Sequence, residues 1–387
     1  MRYDVVVAGG GPAGSRVAEL LARDHGVAVL EEHQVSGLPV QCTGLVSPRV
    51  LSLADVGIEP LNELHGALVH FPGERSIPVR SSEPKGVVID RALFDQRMAE
   101  KAQDAGADFF YGRRYINRIS QGHHRLHYTE DKQIGEMECR LLVGADGQNS
   151  KVAAEIGSAE PREWVRGLQV DLPIEDYSDM VDIHVGNTVA PGFFAWRLPC
   201  GEFTRVGLCV GWEHGPPSAF LRAFLKRLGL EDEEPIAKHC GKIPLGGRGR
   251  TYDDGVMLVG DAAGQIKPAS GGGLHPGLIS ARCLAETADS ALAEDRLDAT
   301  YLKNYEKAWK KAAGKELARA YRLRRVFTGM SDRDFERAAS MVDRPDVHEL
   351  LNSGDIDHPS DLAPRLLRKA PGLLRFSPRL IAAMFMR

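Results

Sequence analysis

The sequence predicts an α/β fold (α+β overall): a Rossmann-like βαβ opening, an inserted antiparallel sheet and a helical C-terminal region. Three observations lead there. A β-branched run from Tyr3 to Ala8 ends in the glycines Gly9-Gly10-Gly11-Pro12-Ala13-Gly14. Alternating aromatic and β-branched segments fill the stretch from Arg166 to Gly211. From Gly277 onward the pattern is helical, and Tyr301 to Val326 is rich in Lys, Arg, Ala and Leu.

At 387 residues the chain can bury a large core and is expected to form two or three cooperating lobes. A formal net charge of −4 argues against a nucleic-acid partner. The six cysteines form no CxxC pair, and no cleavable apolar segment precedes the first strand, so reduced thiols and a cytoplasmic location are expected. No apolar run reaches the ~20 residues that span a bilayer. From Ala363 to Arg387, however, there are six basic side chains and no acid. The segment from Pro364 to Met386 alternates basic and apolar clusters. It suits either peripheral contact with the inner face of the cell membrane or a terminal helix packed on the core.

Taken in order, Tyr3 to Ala8 reads as a strand, Ser15 to Asp24 as an amphipathic helix and Val27 to Leu30 as a second strand. Val87 to Ile89 reads as a strand leading through Asp90 and Arg91 into a helix with Leu93, Phe94, Met98 and Ala102 at helical spacing, stopped by Gly106. Leu141 to Val143 is a short buried strand. Gly167 to Leu172, Val181 to Val185, Phe193 to Leu198 and Arg205 to Val210 read as antiparallel strands of a separate sheet. Val256 to Val259 returns to a buried, parallel-type strand.

In Gly9-x-Gly11-x-x-Gly14 the first glycine makes a tight turn, the second admits a pyrophosphate to the backbone, and the third lets helix and strand pack closely. The helix N-terminus then offers unpaired N–H groups to the anion. Glu31, at the end of the next strand, stands where an acid binds ribose hydroxyls.

Two further segments resemble the signatures of the FAD-dependent hydroxylase and reductase superfamily. Leu142-Val143-Gly144-Ala145-Asp146-Gly147 is similar to its Asp-Gly signature, and Val259-Gly260-Asp261-Ala262-Ala263-Gly264 to its Gly-Asp signature. Within that superfamily the chain resembles the geranylgeranyl reductases, which saturate isoprenoid double bonds. Four segments carry the likeness: Gly37 to Ser47 around Cys42, Asp90 to Asp95, Phe194-Ala195-Trp196-Arg197-Leu198-Pro199, and Pro268 to Leu274. Departures are Thr43-Gly44-Leu45, Leu198 in place of Phe, and Lys267 where an acid is common. The resemblance implies an FAD-binding domain from 1–160 and 250–290 with sheet excursions near 60–85. It also implies an antiparallel-sheet substrate domain at 161–249 and a helical region at 291–387.

It further implies FAD contacts at Ala13, Glu31, Cys42, Thr43, Leu45, Arg91, Tyr115, Asp261, Gly273 and Leu274, beside Gly9, Gly11 and Gly14. Arg91 offers a permanently charged fork suited to phosphate, or else a surface salt bridge at a helix start. Cys42 is the candidate catalytic residue, able to tune the flavin or place the alkene; inert packing is the plain alternative. Phe194 and Trp196, two apart on a strand, share a face that is either sheet core or the apolar wall of a prenyl tunnel. His275 stands where a proton could be delivered, although a solvated loop histidine is the simpler reading. Lys267 near the flavin would favour its anionic reduced form, or simply point to water. The histidines show no ligand spacing with cysteines or acids, so no metal is expected.

The resemblance thus implies a reductase in which hydride passes from N5 of reduced FAD to an isoprenoid alkene of a prenyl lipid. No second glycine fingerprint is present for NAD(P)H. The electron donor is therefore expected to be a small redox protein such as ferredoxin, or transiently bound NAD(P)H. The rival is an FAD-dependent monooxygenase or halogenase acting on an aromatic substrate, and a third reading is a prenyl-lipid carrier that keeps FAD structurally.

Overall fold

The structure, a computed structural model, describes residues 1–121 and 123–376. Its first sheet has five parallel strands in the order Val256–Leu258, Gln133–Gly144, Arg2–Ala8, Val27–Glu31 and Asp108–Tyr111. Val5, Val6, Val7 and Ala8 are all fully buried, as a parallel strand covered on both faces requires. One face packs under Pro12–Leu21, Leu274–Ala293 and Ala299–Trp309. The other is covered by Leu126, Tyr128 and Met137 from an antiparallel extension and by Val152 and Ala153 of Lys151–Glu155. That extension exists because Gln133–Gly144 is far longer than Leu141 to Val143. Its first half pairs antiparallel with His123–Glu130, and its second half joins the parallel core.

The second sheet has seven strands in the order Ala237–Leu245, Glu163–Leu172, Thr204–Gly211, Phe194–Pro199, Met180–Val185, Gly66–His70 and Ser76–Arg80. It is not wholly antiparallel. Met180–Val185 runs parallel to Gly66–His70, because that strand arrives from the N-terminal segment and no tight hairpin ties the pair. The excursion near 60–85 thus contributes a hairpin to this sheet. Thr204–Gly211 is buried along its whole length, with Leu221 and Phe224 of the helix Pro217–Leu228 on one side. A small third sheet pairs Gly86–Val88 antiparallel with both Leu45–Val46 and Asn62–Leu64. The strand leads through Ile89 into the helix Arg91–Asp104, whose N-terminus is capped by Asp90 accepting from the Leu93 N–H.

The C-terminal helices clasp the second sheet. Asp332 accepts from the Asn187 and Thr188 N–H groups, Asp343 pairs with Arg75, and Asn352 accepts from the Arg80 N–H. Ala363–Lys369 is helical; the basic and apolar cluster Pro378 to Met386 lies outside the described residues. Among the described residues no helix is long and apolar enough to cross a membrane.

One buried relay fixes the end of the Val256–Leu258 strand. The fully buried Tyr305 hydroxyl donates to the Leu258 carbonyl at 2.6 Å, Gln265 Nε2 donates to that hydroxyl, and Gln265 Oε1 accepts from the Gly260 N–H. Tyr305→Phe keeps the ring but strands two polar partners. It is expected to lower unfolding free energy by roughly 1–3 kcal/mol, read by urea denaturation.

Candidate functional site

A cavity of about 700 Å³ opens between the two sheets, and every candidate residue from the sequence lines it except Gly14. The glycine turn shows why each glycine is needed. Gly9 has φ 104°, and a Cβ there would lie 2.3 Å from the Ala145 carbonyl oxygen. A Cβ on Gly14 would lie 2.1 Å from the Gly9 carbonyl oxygen, so this glycine serves helix packing from behind the site. A Cβ on Gly11 would meet nothing within 4 Å. Gly11 is the N-cap of Pro12–Leu21, so open space lies where the helix presents its free N–H groups. This cradle fits the pyrophosphate of a dinucleotide.

Three carboxylates stand around it in different states. Glu31 accepts from the Gly10 N–H at 2.8 Å through one oxygen, while the His33 N–H and ring Nδ1 meet the other. Asp146 accepts from the Ser150 hydroxyl and from the Lys151 and Val152 N–H groups, so it caps the helix that follows. Asp261 is the contrast. It lines the cavity with no hydrogen bond to its carboxylate among the described residues, and burial pushes its pKa up to about 6, with Arg91 pulling the other way. An acceptor left without a donor suits a hydroxyl of the cofactor chain.

Arg91 is not a surface pair. Its side chain is largely buried, Nε and Nη2 reach Asp95 one helical turn on at 3.0–3.1 Å, and it lies against Cys42. Burial opposes its charge, but Asp95 and Cys42 outweigh that and hold the guanidinium protonated. Tyr115 is buried, with its hydroxyl donating to Glu155 at 2.6 Å, so only its outer surface faces the cavity.

The Cys42 loop is tied to the opposite sheet. Gln169 Nε2 donates to the Cys42 carbonyl at 2.9 Å, and Arg205 Nη1 donates to the Thr43 carbonyl at 2.6 Å. Arg205 is itself clamped by Asp171 through Nε at 2.6 Å and Nη2 at 2.8 Å, with His239 on the same carboxylate at 3.2 Å. Gln169, Asp171, Arg205 and His239 were not among the residues the sequence pointed to, since nothing in the spacing of ordinary-looking strands marks which side chains reach across.

The far end of the cavity is apolar. Phe193 stacks on Phe194 at 4.5 Å, Phe194 meets the Trp196 ring edge-on at 5.9 Å, and Val181, Ile183 and Ile243 complete the wall. Trp196 lies over Gly207, where a Cβ would come within 2.7 Å of its ring. The Gly271 turn meets this wall, a Cβ there falling 2.9 Å from Ile243 and 3.5 Å from Phe193.

Two expectations are corrected. His275 is not a solvated loop residue: it lies in the first turn of Leu274–Ala293, only 8% exposed. Its Nδ1 is 3.7 Å from the buried Asp357, and burial lowers its pKa. Lys267 does not point to water but donates to Asp357 at 2.9 Å. Ile356 reaches the cavity from the C-terminal region and Asp357 stands buried behind Lys267, where no sequence signal set either apart. All six cysteines are free, and no group of metal-ligating side chains is found among the described residues.

A family model described as FAD binding domain matches residues 2–189. The chain is 30% identical to digeranylgeranylglycerophospholipid reductase 2 of Methanopyrus kandleri over 98% of its own length and 100% of that protein. It is 31% identical to digeranylgeranylglycerophospholipid reductase of Methanothrix thermoacetophila over 95% and 98%. Among solved structures it is similar to a geranylgeranyl bacteriochlorophyll reductase-like protein of Thermoplasma acidophilum, with TM-score 0.87 at 23% identity over 98% and 99% of the two chains. A flavin-dependent halogenase shares the fold at TM-score 0.70 and 15% identity, over 97% of this chain and 78% of that one. The cofactor is FAD.

The Asp261 carboxyl has a higher pKa folded than unfolded, so its burial is free of cost below about pH 4 and costs stability increasingly as pH rises to about 6. Apoprotein Asp261→Asn should therefore gain melting temperature over the parent at about pH 7.5 and lose most of that gain near pH 4.5. Arg205→Met leaves Asp171 buried beside His239 alone. It should cost roughly 3–5 kcal/mol of stability and weaken FAD retention, measured by urea denaturation and bound flavin absorbance.

Proposed function

We propose, for a chain that belongs to the family of digeranylgeranylglycerophospholipid reductases, an FAD-dependent oxidoreductase that saturates isoprenoid double bonds of a prenyl lipid. One observation carries the reading: the aromatic wall of Phe193, Phe194 and Trp196 opens into the same cavity as the glycine cradle and Asp261. A polyprenyl chain has no polar handle along its length, so an apolar channel is what can hold it.

FAD, once bound and reduced, supplies hydride from its N5 atom to one alkene carbon. The residues present the conditions for that transfer. Gly9, Gly11, Ala13 and Gly14 shape the pyrophosphate cradle, and Glu31 takes the ribose hydroxyls while the Gly10 N–H keeps its carboxylate in place. Asp261 would accept from the ribitol chain, and Gly273 and Leu274, which begin the helix Leu274–Ala293, would offer their backbone to the cofactor. Thr43, Leu45, Arg91 and the outer face of Tyr115 complete the contacts. Cys42 lines the same cavity beside Arg91, pinned through its carbonyl by Gln169, and we assign it to placing the alkene rather than to donating the proton. Phe194 and Trp196 hold the chain and keep water out.

The finer reading adds an electron donor, a ferredoxin-like protein or transient NAD(P)H, and peripheral contact with the inner membrane face through the basic C-terminus. Arg365 and Arg368 stand on the helix Ala363–Lys369, on the side of the chain that leads to that segment.

Dithionite-reduced protein under anaerobic conditions should add ~2 Da per double bond to a geranylgeranyl lipid. A product heavier by ~16 Da, formed only with oxygen, would replace the reading by a monooxygenase. Trp196→Ala should raise the KM for the lipid about tenfold while bound FAD stays at the parent level, a loss of roughly 1.4 kcal/mol of apolar contact.

A further inference from the structure

Lys267 is held in an unusual place. Its N–H donates to the Gly272 carbonyl at 3.0 Å, and its carbonyl accepts from the Gly271 N–H at 2.8 Å, which closes the glycine turn before the helix Leu274–Ala293. The side chain folds over that turn: a Cβ on Gly272 would lie 2.9 Å from Lys267 Cε and 3.6 Å from Nζ. Only 13% of it is exposed, and it lines the cavity.

The far end is aimed by Asp357, whose side chain is completely buried. Asp357 Oδ1 takes Lys267 Nζ at 2.9 Å, and Oδ2 faces Arg49 Nη1 at 3.4 Å. Burial raises the Asp357 pKa, but Lys267, Ser47 and His275 together hold it below the ordinary value, so the carboxylate is charged. Arg49 is matched by Asp355 at 2.7 Å, while His275 and His358 stand edge to face at 6.2 Å. In this cluster of Arg49, Lys267, His275, Asp355, Asp357 and His358, the Lys267 ammonium is the fixed cation that lines the cavity.

We infer that Lys267, aimed by Asp357, is the cation that offsets the negative charge FAD takes on when it is reduced, and so sets its reduction potential. Two electrons and one proton pass from the donor, a ferredoxin-like carrier drawing its proton from water or NAD(P)H giving hydride, and leave one negative charge on the flavin. Hydride transfer to one alkene carbon, with a proton from water added to the other, returns the flavin to its neutral oxidised form. At a side chain only 13% exposed, a cation near that charge counts for more than in bulk solvent, and the N-terminus of Leu274–Ala293 adds to it. Lys267 is thus an electrostatic partner, and Asp357 a positioning residue contributed by the C-terminal region.

The inference rests on the FAD-dependent reading of the same cavity, but its test needs no lipid. The reduction potential of FAD on the full-length chain is measured anaerobically against a reference dye. Lys267→Met should lower the reduced-to-oxidised ratio at fixed potential about tenfold, about 30 mV more negative for a two-electron couple. Lys267→Arg should stay within about twofold of the parent. Asp357→Asn should shift the potential the opposite way, because it frees the cation from its counter-charge. If Asp357→Asn does not retain FAD, the contrast between Lys267→Met and Lys267→Arg decides. A Lys267→Met potential within twofold of the parent, or Lys267→Met and Asp357→Asn shifting in the same direction as a mere loop tether would, overturns it. Failure of the parent chain to bind FAD would instead overturn the functional reading.

Discussion

The buried pair of Arg205 and Asp171 is the interaction on which the site depends. Both residues sit on adjacent strands of the second sheet, register partners in Glu163–Leu172 and Thr204–Gly211. Their charges are drawn out of water, which is unfavourable unless every donor is used. Here every nitrogen of the guanidinium is engaged, because two of them hold Asp171 and the third holds the Thr43 carbonyl. The Cys42 loop is thereby referred to the second sheet rather than to the first, whose strand Val27–Glu31 leads into it. A loop rich in glycine, with Gly44 at φ 78° and a Cβ there excluded by the Ile89 carbonyl at 2.5 Å, would otherwise have little to fix it.

The same logic of shared walls runs through the cavity. The Gly271 turn touches Ile243 and Phe193, so the polar cofactor side and the apolar side meet across glycine rather than across bulky side chains. The carboxylates divide according to their partners. Asp146 caps a helix, Glu31 is held by the Gly10 N–H, and Asp261 has no donor to its carboxylate among the described residues, its pKa raised by burial. The loop after the helix Pro345–Asn352 adds Ile356 to a wall built otherwise from residues far earlier in the chain, with Asp357 buried behind it.

Much of this was legible from residue order alone. The glycine turn, the acid at Glu31 and the glycines before Leu274 stand out because their chemistry is local: a backbone that must bend or approach a ligand allows few residue types. Strand Tyr3 to Ala8 and helix Arg91–Asp104 were equally visible from period and cap. The parallel join of Met180–Val185 to Gly66–His70 was not, because hydrophobic alternation gives a strand's faces but not its neighbour's direction. His275 looked like a loop residue because a glycine-rich turn hides the helix start that follows it.

Consecutive residues were enough to expect a dinucleotide at Gly9 to Gly14, since turn geometry and close backbone approach are written locally, and the likeness of the Asp146 and Asp261 segments to a flavoprotein superfamily pointed to FAD. What surrounds the cofactor emerged only once the chain was folded. Arg205 reaches Thr43 across 162 positions and Lys267 reaches Asp357 across 90, and contacts between residues so far apart leave no periodic trace in the chain that makes them.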